Sequence, residues 1–131
     1  MPSRERVNAF VATVREGRYV DAIAEFYAPE ATMRDNLGEV RGGRDALIAQ
    51  EKAMLGSVKQ IATRRAAPVM VDGDRVVIGW MFEITAPDGQ VRRLDELALQ
   101  IWRDERIVEE RFYYDPGQLA AAAAPETGEG A

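Results

Sequence analysis

The sequence predicts an α+β fold in which three N-terminal helices pack against one face of a curved antiparallel sheet. Two observations indicate this fold class. Apolar residues recur at helical spacing in the first part of the chain, and the second half alternates apolar and polar residues between turn sequences. The predicted order is helix, helix, short strand, helix and four long strands. At 131 residues, the chain is long enough to form one core without disulfide bonds.

Capping residues and breakers define the three predicted helices. Ser3 is a suitable N-cap for the first helix, which ends at Gly17. Pro29 stops the second helix, because the residue before a proline disfavours helical backbone. The second and third helices are predicted at 18–27 and 44–55.

Alternating residues and turn sequences define five predicted strands. The first is short, at 30–35, and its apolar side carries Asp35 together with Ala31 and Met33. Pro68 should mark a bulge or a sheet edge, because proline cannot donate a ladder hydrogen bond. The four long strands are predicted at 57–71, 75–86, 91–102 and 107–114.

The length of the turn between the last two strands decides which of their side chains point towards the helices. A three-residue reversal at 103–105 places one set of side chains inside: Glu96, Ala98, Gln100 and Trp102, beside Val108, Glu110, Phe112 and Tyr114. A slip of one residue would instead turn the other set inward: Asp95, Leu97, Leu99 and Ile101. Whether Asp95 or Glu96 faces the interior therefore rests on this register.

Composition excludes several classes of function. The chain has no cysteine and no histidine, which excludes Ser-His-Asp and Cys-His mechanisms and leaves carboxylates and tyrosines for any chemistry. Its net charge is −5 and its basic residues are scattered, so we expect no nucleic-acid partner. No apolar stretch is long enough for a membrane span, and the first residues lack the apolar run of a signal peptide. We expect a cytoplasmic protein with no membrane partner and neither metal nor organic cofactor.

Two segments resemble proteins of known fold. Residues 27–38 resemble the segment of bacterial ketosteroid isomerases that carries their catalytic aspartate, and Asp35 matches that general base. Residues 95–116 resemble the closing hairpin of SnoaL-like proteins, which belong to the nuclear transport factor 2-like superfamily. The resemblance implies a cone-shaped domain over residues 1–118, with a pocket for a small hydrophobic molecule. We expect the alanine-rich remainder, 119–131, to be a low-complexity, disordered tail.

Two departures limit what the resemblance implies about the reaction. The tyrosine donor on the first helix of the isomerases corresponds here to Phe10, and their protonated aspartate corresponds to Ala98. Steroid isomerisation by the set of residues that these isomerases use is therefore not expected. One hypothesis is a cofactor-independent acid/base enzyme of the isomerase, cyclase or hydratase type. The other is a non-catalytic ligand-binding or interaction module of the same fold.

The candidate catalytic residues are Asp35, Glu110 and Tyr114. Asp35 would act as the base, because a carboxylate on the apolar side of a strand is costly to bury unless it is used or paired. Glu110, helped by Tyr114 or Gln100, would be the acid or oxyanion partner. The structural alternatives are a pairing of Asp35 with a nearby arginine (Arg34, Arg41 or Arg44) and an internal bond between Glu110 and Gln100.

The candidate substrate-binding residues share the predicted inner face of the sheet: Trp80, Phe82, Glu96, Gln100, Trp102 and Phe112. The aromatic members equally fit a plain core. If Glu96 and Glu110 both point inward, like-charge repulsion should keep at least one of them neutral. The alternative for Glu96 is a solvated position at the pocket mouth.

The predicted outer face of the sheet is too apolar for a monomer to leave in water. It carries Met81, Leu97, Leu99, Ile101, Ile107 and Tyr113. We therefore expect a homodimer, and the resemblance implies pairing through the same face.

Overall fold

The computed structural model describes residues 1–120. From residue 121 onward, the predicted tail at 119–131 lies outside the described residues. The elements are α1 (Arg4–Arg15), α2 (Tyr19–Phe26), β1 (Tyr27–Asp35), β2 (Arg41–Gly42), α3 (Arg44–Gly56), β3 (Gln60–Asp72), β4 (Arg75–Thr85), β5 (Val91–Arg103), β6 (Arg106–Tyr113) and α4 (Gly117–Ala120). The three predicted helices and five predicted strands are confirmed, and β2 and α4 were not predicted.

Local sequence accounts for the helix ends. The Ser3 side chain accepts a hydrogen bond from the backbone N–H of Arg6 at 3.1 Å, as expected of the N-cap of α1. Gly17 follows α1 with a φ of 82°, a left-handed backbone that favours glycine. None of the helices within residues 1–120 is long and apolar enough to cross a membrane.

Six strands form one curved, unclosed sheet in the order β2-β1-β6-β5-β4-β3. β3 to β6 form the predicted antiparallel meander, whereas β1 and β6 are parallel. β3 is an edge strand and its register shifts between Ala66 and Val69, so Pro68 marks both an edge and an irregularity, as predicted. Gly79 lies opposite this irregularity, where a Cβ atom would come within 2.5 Å of the Ala67 carbonyl oxygen.

The predicted facing of β5 is confirmed. Gln100 pairs with Glu110 and Ala98 pairs with Phe112, which excludes the slipped register. The reversal itself is shorter than predicted, because Arg103 pairs directly with Arg106 across a two-residue turn.

A bulge next to this turn changes the position of one apolar residue. The register shifts between Ile101 and Trp102, so that Trp102 pairs with Ile107. Ile107 is therefore fully buried, and its predicted place on the outer face was wrong. Val108, predicted to face inward, is half-buried. The core fills the space between the helices and the inner face of the sheet.

Candidate functional site

A cavity of about 310 Å³ lies between the helices and the inner face of the sheet. Its lining is mainly apolar and aromatic, and the stacked rings of Trp80 and Phe82, with centroids 5.6 Å apart, form part of one wall. A smaller set of polar side chains also reaches it: Tyr19, Tyr27, Asp35, Arg41, Gln50, Glu51, Glu96, Glu110 and Tyr114. A mostly apolar cavity with a few polar groups is typical of small-molecule sites.

Glu110 lies at the interior end of the cavity and is only 3% exposed. Its Oε1 accepts a hydrogen bond from the Tyr27 hydroxyl, and its Oε2 accepts one from Gln100 Nε2 at 2.7 Å. Burial raises the pKa of Glu110 to about 7, although these two hydrogen bonds oppose the shift. Glu110 can therefore change its protonation state near neutral pH.

Gln100 and Trp102 lie on the side of Glu110 away from the cavity and do not line it. Gln100 Oε1 accepts a hydrogen bond from Trp102 Nε1 at 3.0 Å, and both residues are buried. The predicted internal bond between Glu110 and Gln100 is thus present. The structure places these two predicted substrate-binding residues in a supporting position rather than at the cavity surface.

Sequence reasoning missed the role of Tyr27. Its spacing on α2 predicted a core position on a helix, whereas the structure ends α2 at Phe26 and begins β1 with Tyr27. Burial raises the pKa of Tyr27 well above its ordinary value, so its hydroxyl stays protonated. Pro29 was the available signal, because it already disfavours helix at Ala28.

Glu96 is 7% exposed and pairs across the sheet with Trp80. Its carboxyl faces the cavity, and no side chain or backbone group within residues 1–120 forms a hydrogen bond with it. Burial, reinforced by the charges of Glu110 and Asp35, raises the pKa of Glu96 to about 8. The carboxyl oxygens remain accessible from the cavity, and with this pKa the carboxyl is mostly protonated at neutral pH.

Asp95, the neighbour of Glu96 on β5, lies outside the cavity. Its carboxylate lies on the exposed face, 2.7 Å from Arg65 Nη2. The register that turns Glu96 inward turns its neighbour outward.

Asp35 lies at the mouth of the cavity, formed by Asp35, Arg41 and Tyr114. Its Oδ1 accepts a hydrogen bond from Arg41 Nη2 at 2.8 Å, and its Oδ2 accepts one from the Tyr114 hydroxyl at 2.9 Å. Its side chain is 43% exposed. Asp35 is therefore half-buried, and the alternative pairing with Arg41 is present, because the short strand β2 pairs with β1 and carries Arg41 to the carboxylate.

Tyr114 shares the mouth with Asp35. Burial raises its pKa to about 12, and the hydrogen bond to Asp35 acts in the same direction. The Tyr114 hydroxyl therefore stays protonated and donates to Asp35 at any physiological pH.

Glu51 is a further carboxyl that sequence reasoning missed. It lies on α3, is half-buried, and has a pKa raised by burial, which the charge of Arg41 opposes. Its signal was its spacing, since Leu47, Glu51 and Met54 share one helix face. A charged residue on such a face is more often solvated, so the spacing alone did not identify Glu51 as a candidate site residue.

The two positions that depart from the isomerase pattern are part of the core. Phe10 packs edge-on against the Tyr27 and Trp80 rings, with centroids 6.1 Å and 6.3 Å away. Ala98 is fully buried on β5 between Glu96 and Gln100. The interior hydroxyl of the cavity is therefore supplied from β1 by Tyr27 rather than from α1. Over residues 1–120, no group of three acidic side chains is placed to hold a metal ion.

Known proteins share both sequence and fold with this chain. Residues 7–110 match the SnoaL-like domain family. No curated protein matches the chain at a significant level.

Solved structures with the same fold are 18–20% identical to the chain. TerC, co-crystallised with polyporic acid, is 19% identical over 88% of this chain and 93% of its own, with a TM-score of 0.75. A protein of Jannaschia sp. CCS1 assigned to the SnoaL-like polyketide cyclases is 18% identical over 92% and 94%, with a TM-score of 0.76. A Catenulispora acidiphila protein with a ketosteroid isomerase-like fold, in complex with trimethylamine, is 20% identical over 94% and 95%, with a TM-score of 0.75. The match over most of its length shows that this chain belongs to the SnoaL-like domain family.

Proposed function

We propose that this protein is an acid/base enzyme that acts on a small, neutral, hydrophobic substrate carrying a carbonyl oxygen. The observation that carries the proposal is Glu96, a buried carboxyl that faces an apolar cavity without a hydrogen-bond partner within residues 1–120. Burying a carboxyl in this way is costly and serves no structural contact. Such groups cluster at functional sites, where a shifted pKa has a use.

Glu96 is suited to the role of hydrogen-bond donor. With its pKa raised to about 8, the carboxyl keeps its proton at neutral pH and can donate it to a substrate oxygen. The surrounding apolar walls strengthen that interaction as negative charge develops on the oxygen.

Asp35 is suited to the role of base. Arg41 Nη2 and the Tyr114 hydroxyl hold its two oxygens in place at the mouth, where a substrate bound in the cavity would meet it. In the proposed reaction, Asp35 removes a proton from the carbon next to the carbonyl, and the electron pair moves onto the oxygen held by Glu96. In an unsaturated ketone, return of the proton from Asp35 to the γ carbon gives isomerisation. In cyclisation, the enolate carbon attacks a second carbonyl, and the resulting alkoxide takes up the proton from Asp35. In hydration, Asp35 removes a proton from water, the hydroxide adds to the β carbon of an unsaturated ketone, and the α carbon takes up that proton.

The ligands of structural relatives support a small-molecule site in this fold. TerC was crystallised with polyporic acid, and the Catenulispora acidiphila protein holds trimethylamine. The cavity of this chain has the size and apolar lining for a compact ring system.

Proton exchange next to a carbonyl tests the proposed chemistry without knowledge of the natural substrate. The wild-type protein should catalyse deuterium incorporation from heavy water into a cyclic ketone such as 2-tetralone, followed by proton NMR. Asp35→Asn should lower the rate by about 100-fold or more, the usual contribution of a general base. Asp95→Asn is the matched control, because it makes the same change on the exposed face of β5. Equal rates for the wild type and Asp35→Asn would contradict the proposal.

A second candidate function is a non-catalytic ligand-binding module. Phe10 and Ala98 favour it, since they leave the cavity without the two donors that ketosteroid isomerases use. Binding of 2-tetralone without any proton exchange would support this module over an enzyme.

We also propose that two copies pair through the outer face of the sheet. Leu97 is 47% exposed and Tyr113 is 39% exposed, and Leu99 and Ile101 are half-buried on the same face. Contiguous apolar surface of this kind marks an interface. Leu99→Glu should convert a dimer into an unstable monomer in light scattering, and a wild-type monomer at high concentration would contradict the pairing.

A further inference from the structure

The hydrogen bonds behind Glu110 fix the position of any proton that it binds. Trp102 Nε1 is only a donor, so the oxygen of the Gln100 amide must face it, at 3.0 Å. The amide nitrogen then faces Glu110 Oε2, at 2.7 Å, and donates to it. Oε2 is therefore restricted to accepting, and a proton on Glu110 must lie on Oε1, next to the Tyr27 hydroxyl.

Protonation of Glu110 reverses its hydrogen bond with Tyr27. When Glu110 is charged, the Tyr27 hydroxyl donates to Oε1. When Glu110 is neutral, Oε1 donates to the Tyr27 oxygen, and the hydroxyl hydrogen must turn to a different acceptor. Within residues 1–120, no other group forms a hydrogen bond with this hydroxyl, and Tyr27 lines the cavity. The acceptor must then come from the cavity itself.

We propose that Glu110 and Tyr27 form a proton-coupled binding site for a neutral oxygen acceptor, such as a ketone. Uptake of a proton by Glu110 turns the Tyr27 hydroxyl towards the ligand, and a bound acceptor in turn favours proton uptake. The inference rests on the proposed small-molecule ligand and adds a second point of oxygen recognition at the interior end of the cavity.

Other charged groups face this pair from the surrounding elements, and they set the pH at which it responds. Burial, together with the like charges of Glu51 and Asp35, raises the pKa of Glu110 to about 7. From α1, the uncharged ring of Phe10 packs against Tyr27. Within residues 1–120, the titratable and charged groups around Glu110 and Tyr27 are Asp35 on β1, Arg41 on β2, Arg44 and Glu51 on α3, Glu96 on β5 and Tyr114 just after β6.

The substitution Glu110→Gln reproduces the neutral state at every pH. Because Gln100 can only donate, the oxygen of the introduced amide must face it. Its nitrogen then donates to Tyr27, which leaves the Tyr27 hydroxyl permanently available to a ligand. Tyr27→Phe removes the hydroxyl and should abolish the response.

Two probes of matched shape separate the proton-coupled site from general apolar binding. We would measure the affinities of 1-indanone, a ketone, and indane, its hydrocarbon counterpart, by calorimetry at about pH 5.5 and about pH 8.5, on either side of the Glu110 midpoint. Protonated Glu96 is the donor proposed above for the same kind of oxygen, so all variants are compared in a Glu96→Gln background, where that carboxyl no longer titrates. In this background, the preference for indanone should be about fivefold larger at the lower pH, the size of one neutral hydrogen bond. Adding Glu110→Gln should give the larger preference at both pH values, and adding Tyr27→Phe should give the smaller.

A separate readout keeps the proposal testable if Glu110→Gln does not fold. At about pH 7.5, calorimetry on Glu96→Gln in two buffers of different protonation enthalpy should show proton uptake on binding indanone and none on binding indane. Binding of both probes with a preference that does not depend on pH, or an unchanged pH step in Tyr27→Phe, would overturn the inference alone. Failure of both probes to bind would overturn the proposed small-molecule function as well.

Discussion

The mouth and the interior of the cavity stabilise their carboxyl groups in opposite ways. At the mouth, Asp35 has an arginine at 2.8 Å, a tyrosine hydroxyl at 2.9 Å and a side chain that is 43% exposed. In the interior, Glu110 is held by two uncharged donors, and Glu96 has no hydrogen-bond partner within residues 1–120. The carboxylate at the mouth is thus paired with a cation, whereas the two interior carboxyls have no ion-pair partner within residues 1–120.

This difference shows how one residue type can supply both an acid and a base at the same pH. Asp35 is paired with Arg41 at the mouth, whereas burial favours the neutral forms of Glu96 and Glu110. A buried neutral carboxyl and a carboxylate paired with a cation in one cavity are the two partners that acid/base catalysis needs.

The largest effect on stability is expected from Glu96→Gln, because the amide resembles the neutral acid and does not ionise. The folded-state pKa of Glu96, about 8, lies above its ordinary value of 4.5, so the folded state binds this proton more tightly. Its carboxyl therefore destabilises the fold increasingly as pH rises from 4.5 to about 8. The variant should be more stable than the wild type by about 5 kcal/mol at alkaline pH and by little in acid. Urea unfolding across this range would show it, and two parallel stability curves would contradict it.

A smaller effect is expected from Gln100→Leu in the interior. The change removes one donor from Glu110 and leaves the buried Trp102 N–H without an acceptor. Unsatisfied buried polar groups each cost about 1–3 kcal/mol, so we expect a loss of about 3 kcal/mol in the free energy of unfolding. Gln60→Leu, at an exposed position of β3, is the matched control and should change stability little. Equal losses for the two variants would argue against the interior network.

The smallest effect is expected from Tyr114→Phe at the mouth. The change removes the hydroxyl donor of Asp35, but Arg41 and solvent remain to stabilise that carboxylate. We therefore expect a loss below about 1 kcal/mol in urea unfolding, as for other partly exposed polar contacts. A loss as large as that of Gln100→Leu would remove the distinction between mouth and interior.

The inner face of β5 was predicted from a three-residue reversal, because alternation alone allowed either face to point inward. The turn has two residues, and the bulge between Ile101 and Trp102 restores the predicted pairing of Gln100 with Glu110. Helices and strands also followed from local caps and breakers such as Ser3 and Pro29.

The contacts that separate mouth from interior could not be predicted in this way. The pairing of Asp35 with Arg41 depends on β2, which has two residues and therefore no periodicity to detect. Tyr27 lies at the boundary between α2 and β1, so the local pattern of apolar residues fits both a helix and a strand. Ile107 moved from the outer face to the core through a bulge, which shifts the register by one residue.

The ionisation of Glu96 tests the central claim most directly, because the proposed acid must hold its proton at neutral pH. Carbon NMR of protein labelled at the glutamate side-chain carboxyl carbon, with the Glu96 signal assigned by its loss in Glu96→Gln, would follow this group alone. The expected titration midpoint is about 8. A midpoint at the ordinary value of 4.5 would leave Glu96 charged at neutral pH and would contradict the account of the cavity as an acid/base site.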